Sequence, residues 1–200
     1  IKNQKIIGFG EASKIPRSFD VVIIPKKLFS ECKHSVLTQE QAFLLGWYLT
    51  DGSKHGDKHF GLEISLVKPR SVTILESFLM QNRIEFSKSR YLYSTQKGNY
   101  RYRFGLSCKI FHPIYEIMKQ YSPSELIINI SQSAKKQMFF AMLEGDGSRR
   151  QGKNRYDRFG ALEQQEKNTA EYFELLSIAL GQAYTFNLKK IPNRRPFINY

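Results

Sequence analysis

Two hundred residues allow one domain, or two small similar ones sharing a core, and 41% hydrophobic residues exclude a disordered chain. Lys plus Arg number 31 against 18 Asp plus Glu; the net charge of +13 points to a polyanionic partner without separating DNA, RNA and acidic membrane. No apolar run nears membrane-spanning length, no signal peptide opens the chain and no basic amphipathic helix is found, so a soluble, intracellular protein with no membrane partner is expected.

Residues 1–36 stand apart as an extension or linker, with Gly8, Gly10, Pro16 and Pro25 around one β-like run, Phe19-Asp20-Val21-Val22-Ile23-Ile24. Thr38 reads as a helix N-cap with Gln41 as its capping-box partner. The helix then runs from Gln39 to Thr50 and stops at Asp51-Gly52. Phe60, Leu62, Ile64 and Leu66 alternate with His59, Gly61, Glu63 and Ser65, the pattern of a half-buried strand. Pro69 opens a helix to about Arg83, with Val72, Leu75, Phe78 and Leu79 on one face. Two strands flank a turn at Lys97-Gly98-Asn99. In the second, Tyr100, Tyr102, Phe104 and Leu106 point one way, and Arg101, Arg103 and Ser107 the other. A short helix over residues 110–120 and a connector from Ser122-Pro123-Ser124 close this half.

The second half repeats the order. A helix over Ala134–Glu144 is followed by Arg158-Phe159-Gly160-Ala161-Leu162-Glu163, which echoes His59-Phe60-Gly61-Leu62-Glu63. A helix over Asn168–Leu180 closes at Gly181, and Tyr184–Leu188 and Phe197–Tyr200 are the last strand candidates. The final helix of the first half has no counterpart, as in a second half cut short. Cys32 and Cys108 share no metal spacing, so no disulfide framework is expected.

The repeated phrase carries the chemistry. Phe43-Leu44-Leu45-Gly46-Trp47-Tyr48-Leu49-Thr50-Asp51-Gly52-Ser53 and Phe139-Phe140-Ala141-Met142-Leu143-Glu144-Gly145-Asp146-Gly147-Ser148 are each apolar and helical, and each ends in Asp-Gly-Ser. Neither helix has a polar face, so both are expected between other elements. Gly46 and Ala141 hold the same register position, and small residues there let two helix backbones approach. Packing through them brings Asp51 and Asp146 together. Two close carboxylates need a counter-charge, and a hard divalent cation such as Mg²⁺ meets that need and suits phosphate chemistry.

These two stretches resemble the paired signatures of single-chain LAGLIDADG homing endonucleases, over residues 37–200. The resemblance implies an α+β fold of two pseudo-symmetric αββαββα halves, at residues 37–130 and 131–200, packed through the motif helices as a monomer. Antiparallel sheets would form a saddle in the major groove of a long duplex DNA target. It implies cleavage of both strands across the minor groove with two or three Mg²⁺, for which Mn²⁺ or Ca²⁺ substitutes, leaving 3′ overhangs. Asp51 and Asp146 carry over as catalytic metal ligands, with Thr50 and Gly145 beside them at the metal. A less fixed shell of polar residues falls on Ser65, on Gln164 or Gln165, and on Lys135, Lys136, Lys189 or Lys190. Gln164 and Lys189 are taken into the catalytic set. Leu49 departs from the family by replacing an acid, and Phe139-Phe140-Ala141 replaces Leu-Ala-Gly, which would widen the joint. Glu144 adds a third carboxylate, read as a polar helix end before a ligand.

Basic residues gather where the saddle strands are expected. Lys88, Arg90, Lys97, Arg101 and Arg103 form one group, Arg149, Arg150, Arg155 and Arg158 a second, and Lys190, Arg194 and Arg195 a third. With Lys54 and His59 they are the candidate DNA contacts, arginine for guanine edges or phosphates and lysine for phosphates. Tyr91, Tyr93, Tyr100 and Tyr102 fit core packing better than base stacking. His55 and His59 lack a third ligand for zinc. The competing functions are an RNA maturase and a DNA-binding protein without cleavage. Intron, intein and free-standing origins all remain open; no nucleophile begins the chain and no His-Asn ends it, so self-splicing is not expected.

Overall fold

The computed structural model describes residues 32, 34–56, 61–92, 100–149, 160–164, 167–182, 187–189 and 197–199. The N-terminal β-like run, the turn at Lys97-Gly98-Asn99, Tyr93 and His59 lie outside the described residues.

Thr38 caps helix α1 (Gln39–Asp51) as its sequence predicts. Thr38 Oγ1 accepts from the Gln41 amide at 3.2 Å, and Gln41 Oε1 accepts from the Thr38 amide at 2.9 Å. Strands β1 (Gly52–His55) and β2 (Gly61–Leu66) follow, then α2 (Pro69–Gln81), β3 (Phe86–Leu92), β4 (Tyr100–Leu106) and α3 (Cys108–Gln120). A short α4 (Pro123–Ile128) leads into α5 (Gln132–Gly145). The rest is β5 (Gly147–Arg149), β6 (Gly160–Gln164), α6 (Lys167–Ala179), β7 (Asn187–Lys189) and β8 (Phe197–Asn199). Both sheets are antiparallel, and their strand orders correspond: β1-β2-β4-β3 and β5-β6-β8-β7.

Four elements differ from expectation. β1 and β5 extend each Asp-Gly-Ser turn into an edge strand; Gly-Ser-Lys-His has no apolar alternation, and only pairing with β2 makes it a strand. The connector at Ser122 is a capped helix, because Glu125 closes a capping box with Ser122. Helix α2 ends two residues early, since Arg83 takes a left-handed φ of 54° in a Schellman turn closed by Ile84 N–H to Leu79 O at 2.9 Å. Gly181, φ 65°, closes α6 in the same way.

Among the described residues the core forms where α1 meets α5 and the inner face of the first sheet. Ala42 to Trp47 are buried without a break, as a helix apolar all round requires. Phe43 stacks on Phe78 of α2 at 3.7 Å between ring centres and lies 6.4 Å from Phe140 of α5. Helix α5 is less enclosed than expected, with Lys136 and Phe140 exposed. The joint is tight at its middle despite Phe139-Phe140-Ala141. A Cβ built on Gly46 would sit 2.6 Å from Met138 O and 2.7 Å from Ala141 Cβ.

Candidate active site and nucleic-acid face

Close packing of α1 on α5 delivers their two terminal carboxylates to one place. Asp51 is the last residue of α1, and Asp146 is the C-cap of α5. Gly145 lies against the end of α1 so closely that a Cβ there would meet Thr50 Oγ1 and Asp51 Oδ2. Lys68, the N-cap of α2, reaches into the same site and donates from Nζ to Gly145 O at 2.7 Å. Asp51 Oδ2 is buried with no hydrogen-bond donor on it.

Both acids are held above the ordinary aspartate range. For Asp51, burial is the main cause, and the positive charge of Lys68 opposes it. For Asp146, burial and then the charge of Asp51 push the value up to about 7, again against Lys68. The proton is therefore bound more tightly by folded Asp146 than by the unfolded chain, whose reference value is 3.8. Between these two values the folded state holds more protons, so stability falls as pH rises. In EDTA, the melting temperature of the wild type is expected to drop relative to Asp146→Asn between about pH 4 and pH 7. Ca²⁺ should remove that difference at pH 8, because a bound cation replaces the proton. Parallel curves for the two proteins across this range would contradict the pairing.

The donor set fits a hard divalent cation. Among the described residues the site offers two carboxylates, one with an unpartnered oxygen, and no thiolate or imidazole joins them. Among the described residues, no group of three or more His, Cys, Asp or Glu side chains is gathered. Two carboxylates completed by phosphate and water oxygens are the usual Mg²⁺ arrangement at phosphoryl sites.

The remaining expected site residues divide sharply. Gly145 O is taken by Lys68, and the Thr50 hydroxyl turns back to Gly46 O and Trp47 O at 3.3 and 3.4 Å. Glu144 is 1% exposed and its Oε2 lies 2.7 Å from Arg70 Nε, in keeping with a polar helix end. Lys135 and Lys136 sit near the start of α5, roughly 15 Å of helix from Asp146. Gln164 ends β6, paired with Ile198, and Lys189 ends β7, paired with Phe197. Gln165 and Lys190 lie outside the described residues. Lys68 was missed by sequence reasoning; its signal was a basic residue directly before the proline that opens α2.

Strand register sorts the candidate DNA contacts. Ser65 pairs with Arg103, Glu63 with Gly105, and Tyr91 with Arg101, all on the face away from the helices. There Arg103 Nε lies 3.0 Å from Glu63 Oε1, and Arg103 Nη2 donates to Tyr91 Oη at 3.5 Å. Desolvation pushes the Tyr91 hydroxyl up, but hydrogen bonds from Arg103 and Arg101 hold it below its ordinary range. Because Ile64 pairs with Gly52, this polar row starts one residue from the Asp51 turn.

Lys54, Lys88 and Arg90 are on the opposite, helix-covered face, since they pair with Leu62, Phe104 and Tyr102. Lys54 donates to Tyr115 Oη of α3 at 3.2 Å, Lys88 meets Glu76 of α2 at 2.7 Å, and Arg90 stacks 3.3 Å from the Tyr100 ring centre. Tyr91 and Tyr100 are exposed at 36% and 37%, so the expectation of core packing holds only for Tyr102 among the described tyrosines of this hairpin. Arg149 belongs to β5. Lys97, Arg150, Arg155, Arg158, Arg194 and Arg195 lie outside the described residues.

No protein-family profile matches the sequence, and no curated protein does. Solved structures do. The homing endonuclease I-DmoI in complex with DNA and Mn superposes with a TM-score of 0.53 at 12% identity, covering 80% of this chain and 88% of that one. The same protein with DNA and Ca gives 0.53 at 12%, covering 80% and 81%. Full-length DUF199/WhiA from Thermatoga maritima gives 0.52 at 14%, covering 84% of this chain and 53% of that one. The chain shares the fold of these structures, the fold that the resemblance of its two motif stretches implies. At these identities the likeness is one of architecture, and the chemistry has to be argued from the residues. No helix among the described residues is long and apolar enough to cross a membrane.

Proposed function

We propose that the chain is a site-specific DNA endonuclease that hydrolyses both strands of a long duplex target with Mg²⁺. The observation that carries this reading is the pair of half-buried carboxylates at the ends of α1 and α5, one with a buried, unpartnered oxygen. Binding alone gives no reason to bury two like charges side by side. The DNA and metal complexes of I-DmoI support the same reading.

In it, Asp51 and Asp146 hold the metal, and Lys68 offsets their charge and fixes the end of α5. Arg101 and Arg103 face the duplex, and Arg150, Arg155, Arg158, Lys190, Arg194 and Arg195 are further candidate contacts from the sequence. The two halves sit about a pseudo-two-fold axis, and the monomer spans the minor groove so that cuts leave 3′ overhangs. A bound divalent cation supplies polarisation of the phosphodiester and activation of water.

Competition binding in Ca²⁺ separates the alternatives. The protein should prefer duplex DNA over single strands and structured RNA, with affinity falling steeply as salt rises. Tight binding of intron RNA with weak duplex binding would favour a maturase. Specific duplex binding without cleavage in Mg²⁺ or Mn²⁺ would favour a DNA-binding protein that does no chemistry.

A further inference from the structure

Both motif helices end inside the protein, where their last carbonyls have no amide of their own helix to receive. Each end is completed by a hydroxyl from a distant element. Ser71, third residue of α2, donates from Oγ to Glu144 O at 2.8 Å. Thr169, third residue of α6, donates from Oγ1 to Leu49 O at 3.0 Å. Glu144 stands two residues before Asp146, and Leu49 two before Asp51.

The arrangement is reciprocal. The helix that follows β2 serves the acid of α5, and the helix that follows β6 serves the acid of α1. Both hydroxyl residues are buried, Ser71 at 1% and Thr169 at 4% exposure. Helical Ser and Thr usually turn back to the carbonyl four residues earlier. Thr73 and Ser177 on the same two helices do so, to Pro69 O at 3.1 Å and Phe173 O at 2.8 Å. Ser71 and Thr169 reach across instead.

We propose that Ser71 and Thr169 are reciprocal positioning residues, each fixing the last helical turn ahead of one carboxylate: Ser71 for Asp146 and Thr169 for Asp51. The inference rests on the reading of Asp51 and Asp146 as the functional pair. Without its hydroxyl, each helix end loses a donor to a buried carbonyl, and its terminal turn loosens. A reacting group has to be held to within about 0.5 Å, so the acid on that turn loses its aim. Each loss is confined to one acid, because the two hydroxyls serve different helices.

The test uses the full chain with Ser71→Ala and Thr169→Val, and with Ser71→Thr and Thr169→Ser as conservative partners. Amide hydrogen exchange in the metal-free protein is the first readout. Ser71→Ala should speed exchange in the last turn of α5 about tenfold, the scale of one net hydrogen bond, and leave the last turn of α1 unchanged. Thr169→Val should do the reverse, and the conservative variants should match wild type. The second readout is the ratio of nicks in the two strands of a duplex selected from a randomised library in Mg²⁺. The alanine and valine variants should shift that ratio in opposite directions, which a general loss of stability does not do. Loosening of both turns together, or of neither, or a ratio that shifts the same way in both variants overturns the proposal. The expected exchange pattern with no duplex cut by wild type upholds the clamps and overturns the nuclease reading instead.

Discussion

Asp51→Asn and Asp146→Asn are each expected to abolish double-strand cleavage in Mg²⁺ and, at neutral pH in EDTA, to raise the melting temperature. Asparagine keeps the shape of the side chain and removes its charge. The cation then loses one of two protein carboxylates, and a rate loss of about a thousandfold or more follows, on the scale of ~4 kcal/mol of transition-state stabilisation. The stability gain has a separate origin. Burial penalises both ionised acids, and the charge of Asp51 adds to the penalty on Asp146. Removing either charge relieves that penalty, the usual trade between stability and a poised site. Plasmid cleavage on a selected target and thermal unfolding without metal read the two effects. A variant that cuts at the wild-type rate would sink the site assignment, and one that loses stability with activity would give the carboxylate a structural role instead.

Gly46→Ala is expected to destabilise the protein by about 1–3 kcal/mol, the range of core overpacking, and to weaken metal binding as well. In an ordinary helix the same change gains about 1 kcal/mol of propensity. Here the new methyl lands 2.6 Å from Met138 O and 2.7 Å from Ala141 Cβ. A backbone oxygen cannot swing aside, so α1 and α5 must separate, and the carboxylates at their ends move with them. Thermal unfolding and Mn²⁺ affinity measure the two consequences. Gly46→Ala combined with Ala141→Gly should recover part of both, because the pair then exchanges its small and larger member across the joint. A stabilised Gly46→Ala protein with unchanged Mn²⁺ affinity would show that the joint does not set the site.

Elements with a strong period were legible in the chain. The capping box at Thr38, the alternation of Leu62, Ile64 and Leu66, and the face of Val72, Leu75 and Leu79 each specify their element locally. The strand Gly52–His55 was not legible, since its residues become a strand only by pairing with β2. The acid pair was legible because its phrase occurs twice with Gly46 and Ala141 in register.

Lys68 was not, because its role depends on where the N-terminus of α2 meets the end of α5, a contact spanning 77 residues. The face that Lys88 and Arg90 occupy was not legible either. On the edge strand β3 they occupy the inward face, where the Arg90 guanidinium stacks on Tyr100 and the Lys88 ammonium lies near the Tyr102 and Phe104 rings and pairs with Glu76. Charge density along the sequence marks a basic strand without giving the parity that decides which face it shows.

The most direct measurement is cleavage of a randomised duplex library by the full chain in Mg²⁺, with sequencing of the new ends. The account predicts double-strand breaks within one long, restricted family of sites, staggered to leave 3′ overhangs and lost in EDTA. Enrichment of bound duplexes with no new ends in Mg²⁺ or Mn²⁺, or cleavage that persists in EDTA, would contradict it.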